Sequence, residues 1–246
     1  NSATNCSHSG SALSVVDILT VLYFKILNID PQDPVKKDRD KLILSKGHGS
    51  TALYSTLAER GFFSKNILKK FYCDDGVLPG HLDKEAVPGV EASAGSLGHG
   101  LSIGVGMALA HKTDHNPGHI YVILGDGELN EGSIWEALLL APQLRLKNLT
   151  AIIDYNKLQG YGRTNEVINL EPLKDKLISF NWQVAEIDGH NYQQIEESIK
   201  EKSAKPKIII AHTIKGKGVS FMENKLEWHY KSPNDEELEQ GLNELA

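Results

Sequence analysis

Cysteine is scarce in this chain: Cys6 and Cys73 are the only two in 246 residues, and no CxxC pair exists. So few thiols argue against a disulfide framework and against a cysteine-based structural zinc site, and they fit a reducing cytoplasm. Excess positive charge is missing too. Lys and Arg total 26 against 32 Asp and Glu, a formal net charge of −6. No basic surplus is available to neutralise phosphates, so a nucleic-acid-gripping role is not expected. No apolar run approaches the ~18 residues that span a bilayer, and no signal-peptide core is found, so no membrane attachment is expected. Repeats, low-complexity tracts and Pro/Ser-rich linkers are also lacking. At roughly 150 residues per domain, an unbroken chain of this length reads as one domain over 1–246. With 40% hydrophobic and 24% charged residues, it has the composition to bury a core.

What is present alternates between helical and extended patterns. Val15, Val16, Ile18, Leu19, Leu22, Tyr23, Ile26 and Leu27 recur at helical spacing until the Asp30-Pro31 and Asp33-Pro34 turns. Leu42-Ile43-Leu44 reads as a short strand leading into a loop. A helix is expected over Ser50–Arg60, ended by Gly61. Another is expected over Ile103–Lys112, where Gly104 and Gly106 suggest close packing by a neighbour. The runs 120–124, 149–153 and 208–210 are continuously apolar, as in strands buried on both faces of a parallel sheet. Residues 182–187 alternate, which suits a position nearer an edge. Helical segments near 133–141, 172–180 and 192–202 separate these strands. The fold class is therefore α/β, a mostly parallel sheet flanked by helices.

Glycine is abundant, at 22 residues, and it clusters around histidine. His8, His48, His81 and His99 all sit beside glycine or serine in loop-like contexts. A single such histidine is most simply a surface loop residue. Four together point to a site, because glycine admits close backbone approach and imidazole handles protons near neutral pH. None of these pairs has the i,i+4 spacing of a helical zinc site.

The sharpest feature is the apolar run Ile120–Leu124 entering Gly125-Asp126-Gly127-Glu128-Leu129-Asn130-Glu131-Gly132. A strand that ends in Gly-Asp-Gly ahead of a helix puts Asp126 at the carboxyl edge of the sheet, where open α/β folds bind ligands. The next strand ends in Asp154-Tyr155-Asn156, so Asn156 is expected at the neighbouring edge. A carboxylate and a carboxamide oxygen there suit Mg²⁺, which shares its shell with phosphate oxygens. Other phosphate motifs fail. Gly104-Val105-Gly106 lacks the third glycine of a dinucleotide fingerprint, and Lys217 is followed by Gly218 rather than Ser or Thr. These absences disfavour NAD and ATP.

Taken together, these residues resemble the transketolase family. Gly125-Asp126-Gly127 with Asn156 resembles the metal–diphosphate motif of thiamine diphosphate enzymes. Ser45-Lys46-Gly47-His48-Gly49-Ser50, Leu78-Pro79-Gly80-His81, Gly95-Ser96-Leu97-Gly98-His99-Gly100, Thr213-Ile214-Lys215-Gly216-Lys217-Gly218 and Trp228-His229 resemble transketolase specifically. The likeness runs from about Ser2 to Leu242, in the family's order. It covers only the diphosphate-binding half of transketolase, so the chain resembles the N-terminal subunit of a split enzyme. His99, where full-length members often have glutamine, and the basic Lys215-Gly216-Lys217 stretch depart from the family pattern.

The resemblance implies thiamine diphosphate and Mg²⁺ (or Ca²⁺) as cofactors, with Asp126, Asn156 and the Leu158 carbonyl as metal ligands. It implies that His48 and the Gly127 backbone contact the diphosphate, and that Gly95 and Leu97 lie along the cofactor. His8, His81 and His229 would face the substrate, with His8 and His81 as the groups that hydrogen-bond sugar hydroxyls and polarise the carbonyl. Glu131 would join an acidic network between the two active sites of a dimer; a helix N-terminus also favours such a carboxylate on its own. The implied activity is ketol transfer between sugars or sugar phosphates in carbohydrate metabolism, such as the pentose phosphate type. The implied partner is a C-terminal subunit carrying the pyrimidine-binding domain, in a heterotetramer built as a two-fold dimer of heterodimers. Two other readings stand beside it: the alpha subunit of a 2-oxo acid dehydrogenase, which shares Gly-Asp-Gly and the asparagine, and a non-catalytic scaffold of the same fold.

Overall fold

The computed structural model describes residues 5–246; Ser2, where the resemblance begins, lies outside them. In chain order the elements are α1 (Ser9–Val21), β1 (Lys41–Leu44), α2 (Ser50–Arg60), α3 (Gly100–Thr113), β2 (Ile120–Gly125), α4 (Gly132–Gln143), β3 (Leu149–Tyr155), β4 (Leu158–Gln159), β5 (Gly162–Arg163), α5 (Thr164–Val167), α6 (Leu173–Ser179), β6 (Gln183–Asp188), α7 (Tyr192–Lys200), β7 (Lys207–His212) and α8 (Asp235–Leu245). Five strands form one sheet in the order β1-β2-β3-β7-β6, with every neighbouring pair parallel. β4 and β5 form a separate antiparallel hairpin.

The apolar runs explain this sheet. Successive side chains of a strand point to opposite faces, and here both faces are covered. Leu42, Ile123, Ile152 and Ile209 pack with Ile18, Leu53 and Ile195 from α1, α2 and α7. Ile43, Val122, Ile153 and Ile208 pack on the other side with Val105, Leu138 and Leu177 from α3, α4 and α6. β2 and β3 are buried along their whole length. β6 is the exception, half exposed at the sheet edge, as its alternating sequence anticipated.

Gly61 ends α2 in the left-handed conformation, as expected. The expectation for α3 holds at one of its two glycines. A Cβ on Gly104 would lie 2.5 Å from Val122 Cγ2, so the helix rests its backbone on β2, whereas Gly106 faces open space.

The membrane reading needs correction. Ser9–Ile26 is an 18-residue helix with mean hydropathy 1.4, long and apolar enough to cross a bilayer by length and composition, and 61% of it is buried inside the fold. α1 continues there as a π-helical turn, Leu22–Ile26. Asp17 and Lys25, with interspersed Ser, Gly and Thr, divide the stretch into short apolar segments and hid it from the sequence reading. Its packing against α2 and α7 makes it a core helix. α8 and the β4–β5 hairpin went unanticipated. The signal for α8 was present in Asn234-Asp235-Glu236-Glu237, which forms a capping box.

Candidate active site

Parallel strands place all their carboxyl ends on one edge, and four such ends build the site. β2 leads directly into Asp126, and β3, one strand over, into Asn156. Asp126 is buried and caps the short turn that follows, its Oδ1 accepting from Gly127 N at 2.8 Å. Its Oδ2 accepts from Lys157 N at 2.6 Å and from Thr164 Oγ1 at 3.0 Å. Lys157 adopts a left-handed φ of 65°, which turns the chain back so that Leu158 N can donate to Asn156 Oδ1 at 3.0 Å. The hairpin β4–β5 is thereby folded over the edge of the sheet.

β1 ends in the Ser45–Gly49 turn, and β7 in Thr213-Ile214-Lys215. Gly47 has no room for a side chain, since a Cβ would meet the Ala94 carbonyl at 2.6 Å. This close approach brings the 94–100 loop against His48's turn. Glu128 fastens the same loops: its carboxylate accepts from Ser45 Oγ, from Gly98 N at 2.9 Å and from Gly125 N at 3.2 Å.

These segments wall a cavity of about 210 Å³. Seven of the eleven residues singled out from the sequence line it: His48, Leu97, Asp126, Gly127, Asn156, Leu158 and His229. His8 stands beside them, with ring centroids 5.2 Å from His48, 5.0 Å from His229 and 5.8 Å from His81. His81 is exposed, on a loop tied to α2 by Ser50 Oγ donating to the Gly80 carbonyl at 2.6 Å. Gly95 lies next to His81 and lines an adjoining cavity of about 350 Å³ together with His99. Glu131 lies apart from both cavities. It is exposed at the N-cap of α4, against Gly98.

Two lysines complete the site, and sequence reasoning missed both. Lys46 is buried and bonded to the equally buried Asp154, whose other partners are Ser14 Oγ at 2.6 Å and Thr213 Oγ1. Burial alone would raise the Asp154 pKa, but the Lys46 ammonium and the two hydroxyls hold it below the usual carboxylate range. Lys215 is fully buried, with Nζ 3.3 Å from Ser11 Oγ, 3.3 Å from the Leu158 carbonyl and 2.8 Å from His229 Nδ1. Burial, reinforced by repulsion from Lys46, pushes its pKa down to about 8. Their signal was the lysine in each glycine-rich motif, Ser45-Lys46-Gly47 and Ile214-Lys215-Gly216.

The electrostatics follow. Burial first, then neighbouring positive charge, lowers His8 to about 4 and His229 to about 3, and holds His48 well below its ordinary value. These three rings are neutral at pH 7. Burial, then the nearby Asp154 charge, raises the Asp126 pKa. Among the described residues no ammonium bonds to Asp126: Lys46 is committed to Asp154, and Lys215 to Ser11, the Leu158 carbonyl and His229. A buried carboxylate with only neutral donors calls for a cation. Gln159 lines the cavity, and its Nε2 is buried with no hydrogen-bond partner among the described residues, a donor that a bound ligand would satisfy.

Comparison with known proteins places this architecture. Residues 2–245 match the family described as transketolase, thiamine diphosphate binding domain. The chain is 45% identical over 241 residues to the 6-deoxy-6-sulfo-D-fructose transketolase subunit SqwG of Clostridium sp. (strain MSTE9), covering 97% of this chain and 88% of that one. It is 45% identical over 240 residues to an apulose-4-phosphate transketolase subunit of Actinobacillus succinogenes, covering 97% and 87%. Among solved structures, a transketolase from Campylobacter jejuni superimposes with a TM-score of 0.91 at 32% identity, over 98% of this chain and 39% of that one. The chain thus spans under half of that transketolase and most of the two subunits.

Proposed function

The chain belongs to the transketolase family through its thiamine diphosphate-binding domain, and on that premise we propose that it is the cofactor-anchoring subunit of a two-chain transketolase. Its partner would be a C-terminal subunit carrying the pyrimidine-binding domain, and the pair would move a two-carbon ketol unit from a ketose to an aldose. The observation that carries this reading is the meeting of Asp126, Asn156 and the Leu158 carbonyl in one cavity walled by His48, His229, Lys46 and Lys215. Three oxygen donors with one buried, uncompensated carboxylate suit a hard divalent cation, Mg²⁺ or Ca²⁺. The adjacent ammonium groups suit a diphosphate.

Thiamine diphosphate, when bound, supplies a nucleophilic carbon and an electron sink for breaking and remaking a carbon–carbon bond. The chain's own residues bind and orient it. Asp126, Asn156 and Leu158 would hold the metal, while His48 and the Gly127 backbone would hold the diphosphate. Gly95 and Leu97 would offer backbone along its length. His8, neutral at pH 7, can donate from one ring nitrogen and accept at the other, so it can pass a proton to or from a sugar oxygen. His81 would share that work, and His229 would face the same space. Glu131, exposed at the start of α4, would meet a second copy in a two-fold dimer of heterodimers. The names of the two subunit relatives give substrates ending in a sulfonate and a phosphate; we extend to this chain a ketose with a terminal anion.

The test is to titrate the purified chain with thiamine diphosphate and Mg²⁺, then assay ketol transfer with and without the partner. Metal-dependent binding and transfer only in the mixture are expected. Transfer by this chain alone, with contamination excluded, would overturn the two-chain reading. Decarboxylation of a 2-oxo acid by the mixture would replace it with the dehydrogenase reading.

A further inference from the structure

Gly189-His190 is a glycine–histidine pair in the turn between β6 and α7, outside the cavity. The turn lies flat against the segment that leaves β7. Gly189 N donates to the His212 carbonyl at 2.8 Å, and a Cβ on Gly189 would meet Thr213 Cγ2 at 2.5 Å. The His190 ring reaches two partners at once. Its Nδ1 is 2.7 Å from Asp17 Oδ2 on α1, and its Nε2 is 2.8 Å from the backbone nitrogen of Ile214. A backbone N–H can only donate, so Nε2 must carry a lone pair. The ring is therefore a neutral imidazole whose proton sits on Nδ1 and is donated to Asp17. Burial alone would raise the Asp17 pKa, but the hydrogen bonds from His190 and Tyr192 hold it below the usual carboxylate range, which leaves it an acceptor at pH 7.

We propose that His190 is a positioning residue: oriented by Asp17, it holds the Ile214 backbone and so fixes where the segment after β7 meets the cavity. The segment has other anchors on either side. Thr213 is held by Asp154 and by the Tyr155 carbonyl, and Gly216 N by the Gly10 carbonyl at 2.9 Å. Between them, Ile214 N finds its only partner among the described residues in His190. The next residue, Lys215, is already on the cavity wall, whereas neither Asp17 nor His190 lines the cavity. The influence of His190 therefore travels through one peptide unit. A carboxylate that fixes one imidazole nitrogen, so that the other faces its task in a set tautomer, is how metal-binding and catalytic histidines are oriented. Here the working nitrogen accepts a peptide N–H, and three elements far apart in sequence are joined by one ring. The identity of the cavity's ligand rests on the proposed function, but the link itself belongs to the chain alone.

Nitrogen-15 NMR of the full chain at pH 7, without ligands, tests the geometry. The His190 ring should show a protonated Nδ1 and an unprotonated Nε2, with a scalar coupling between that Nε2 and the Ile214 amide nitrogen across the hydrogen bond. Two variants test the consequence. His190→Gln places a carboxamide oxygen where Nε2 stands, so it can still accept from Ile214. His190→Asn reaches only as far as Nδ1 and keeps only the bond to Asp17. Calorimetry with thiamine diphosphate and Mg²⁺ should find His190→Gln near wild type and His190→Asn about tenfold weaker, the lower end of what losing an orienting group costs. A ring that only filled space would be missed equally in both variants. Equal affinities in two variants of equal Tm therefore overturn the proposal. A protonated Nε2 in the wild type overturns it as well, even if neither variant folds. A wild-type chain with the stated tautomer and coupling that binds no thiamine diphosphate would refute the proposed function and leave the link through His190 standing.

Discussion

The backbone N–H of Lys157 donates to Asp126 Oδ2 at 2.6 Å, so the carboxylate at the end of β2 is bonded to the turn that leaves β3. One side chain thus serves two purposes. It offers negative charge to the cavity, and it ties down the segment that carries Asn156 and Leu158. Thr164 Oγ1, 3.0 Å from the same oxygen, extends the tie to the far end of the hairpin.

Removing the charge while keeping the shape separates those purposes. Asp126→Asn keeps only one of the two accepting oxygens, so it should fold with a modestly lowered Tm and bind thiamine diphosphate with Mg²⁺ at least about 100-fold more weakly. Residues that merely support metal ligands cost 10–100-fold when changed, and a direct ligand should cost more. Calorimetry checks it, and unchanged affinity would remove Asp126 from the metal site. Asp126→Ala should add faster amide exchange in residues 157–164, because their anchor is gone.

Lys46 and Asp154 are both buried almost completely. Breaking such a pair leaves an isolated buried charge, so Lys46→Met should destabilise the chain by about 3–5 kcal/mol. Lys46→Met combined with Asp154→Leu should recover part of that loss. Urea denaturation of the two variants checks the order, and an equal or larger loss in the double variant would contradict it.

His81 is exposed, 5.8 Å from His8 between ring centroids. It bonds to none of the metal-site oxygens. His81→Ala should therefore leave thiamine diphosphate affinity near normal. Turnover in the assembled enzyme should fall by roughly two to four orders of magnitude, the scale of a lost acid–base group. A wild-type rate would reduce His81 to a loop residue.

His119 lies at the opposite end of the sheet, its Nε2 2.9 Å from Thr150 Oγ1. Burial, then the Lys207 charge, lowers its pKa to about 4 from 6.5. Between those values the unfolded chain binds the proton and the folded one does not, so stability falls as pH drops. The contribution is intact above pH 6.5 and is progressively lost down to about pH 4. His119→Gln should flatten the dependence of unfolding free energy on pH in that window by up to about one proton's worth. Urea midpoints at pH 7, 6 and 5 measure it, and parallel curves would contradict the assignment.

Much of the fold was legible because its signals are local. Ile120–Leu124 and Leu149–Ile153 are too apolar for any place but the middle of a covered sheet, and β2 and β3 occupy it. Gly125-Asp126-Gly127 and Asn156 each follow directly from a strand, so the parallel register alone brings them to one edge. Gly61 ends its helix through its own backbone freedom.

What only the tertiary structure decided depends on residues far apart in sequence. Ser9–Ile26 is apolar enough for a membrane, and it is burial against α2 and α7 that makes it part of a core. Lys46 and Lys215 look like surface lysines in glycine-rich loops. Yet Lys46 meets Asp154 across 108 positions and Lys215 meets Ser11 across 204. Neither Glu128's grip on Gly98 nor Lys215's on His229 Nδ1 leaves a mark in composition or periodicity. The choice of strands and of strand-end ligands is written in short stretches, because hydrophobic patterning and turn chemistry act over a few residues. The charges and buried pairs of the site are set by long-range packing, because desolvation and Coulomb forces depend on which groups the folded chain brings together.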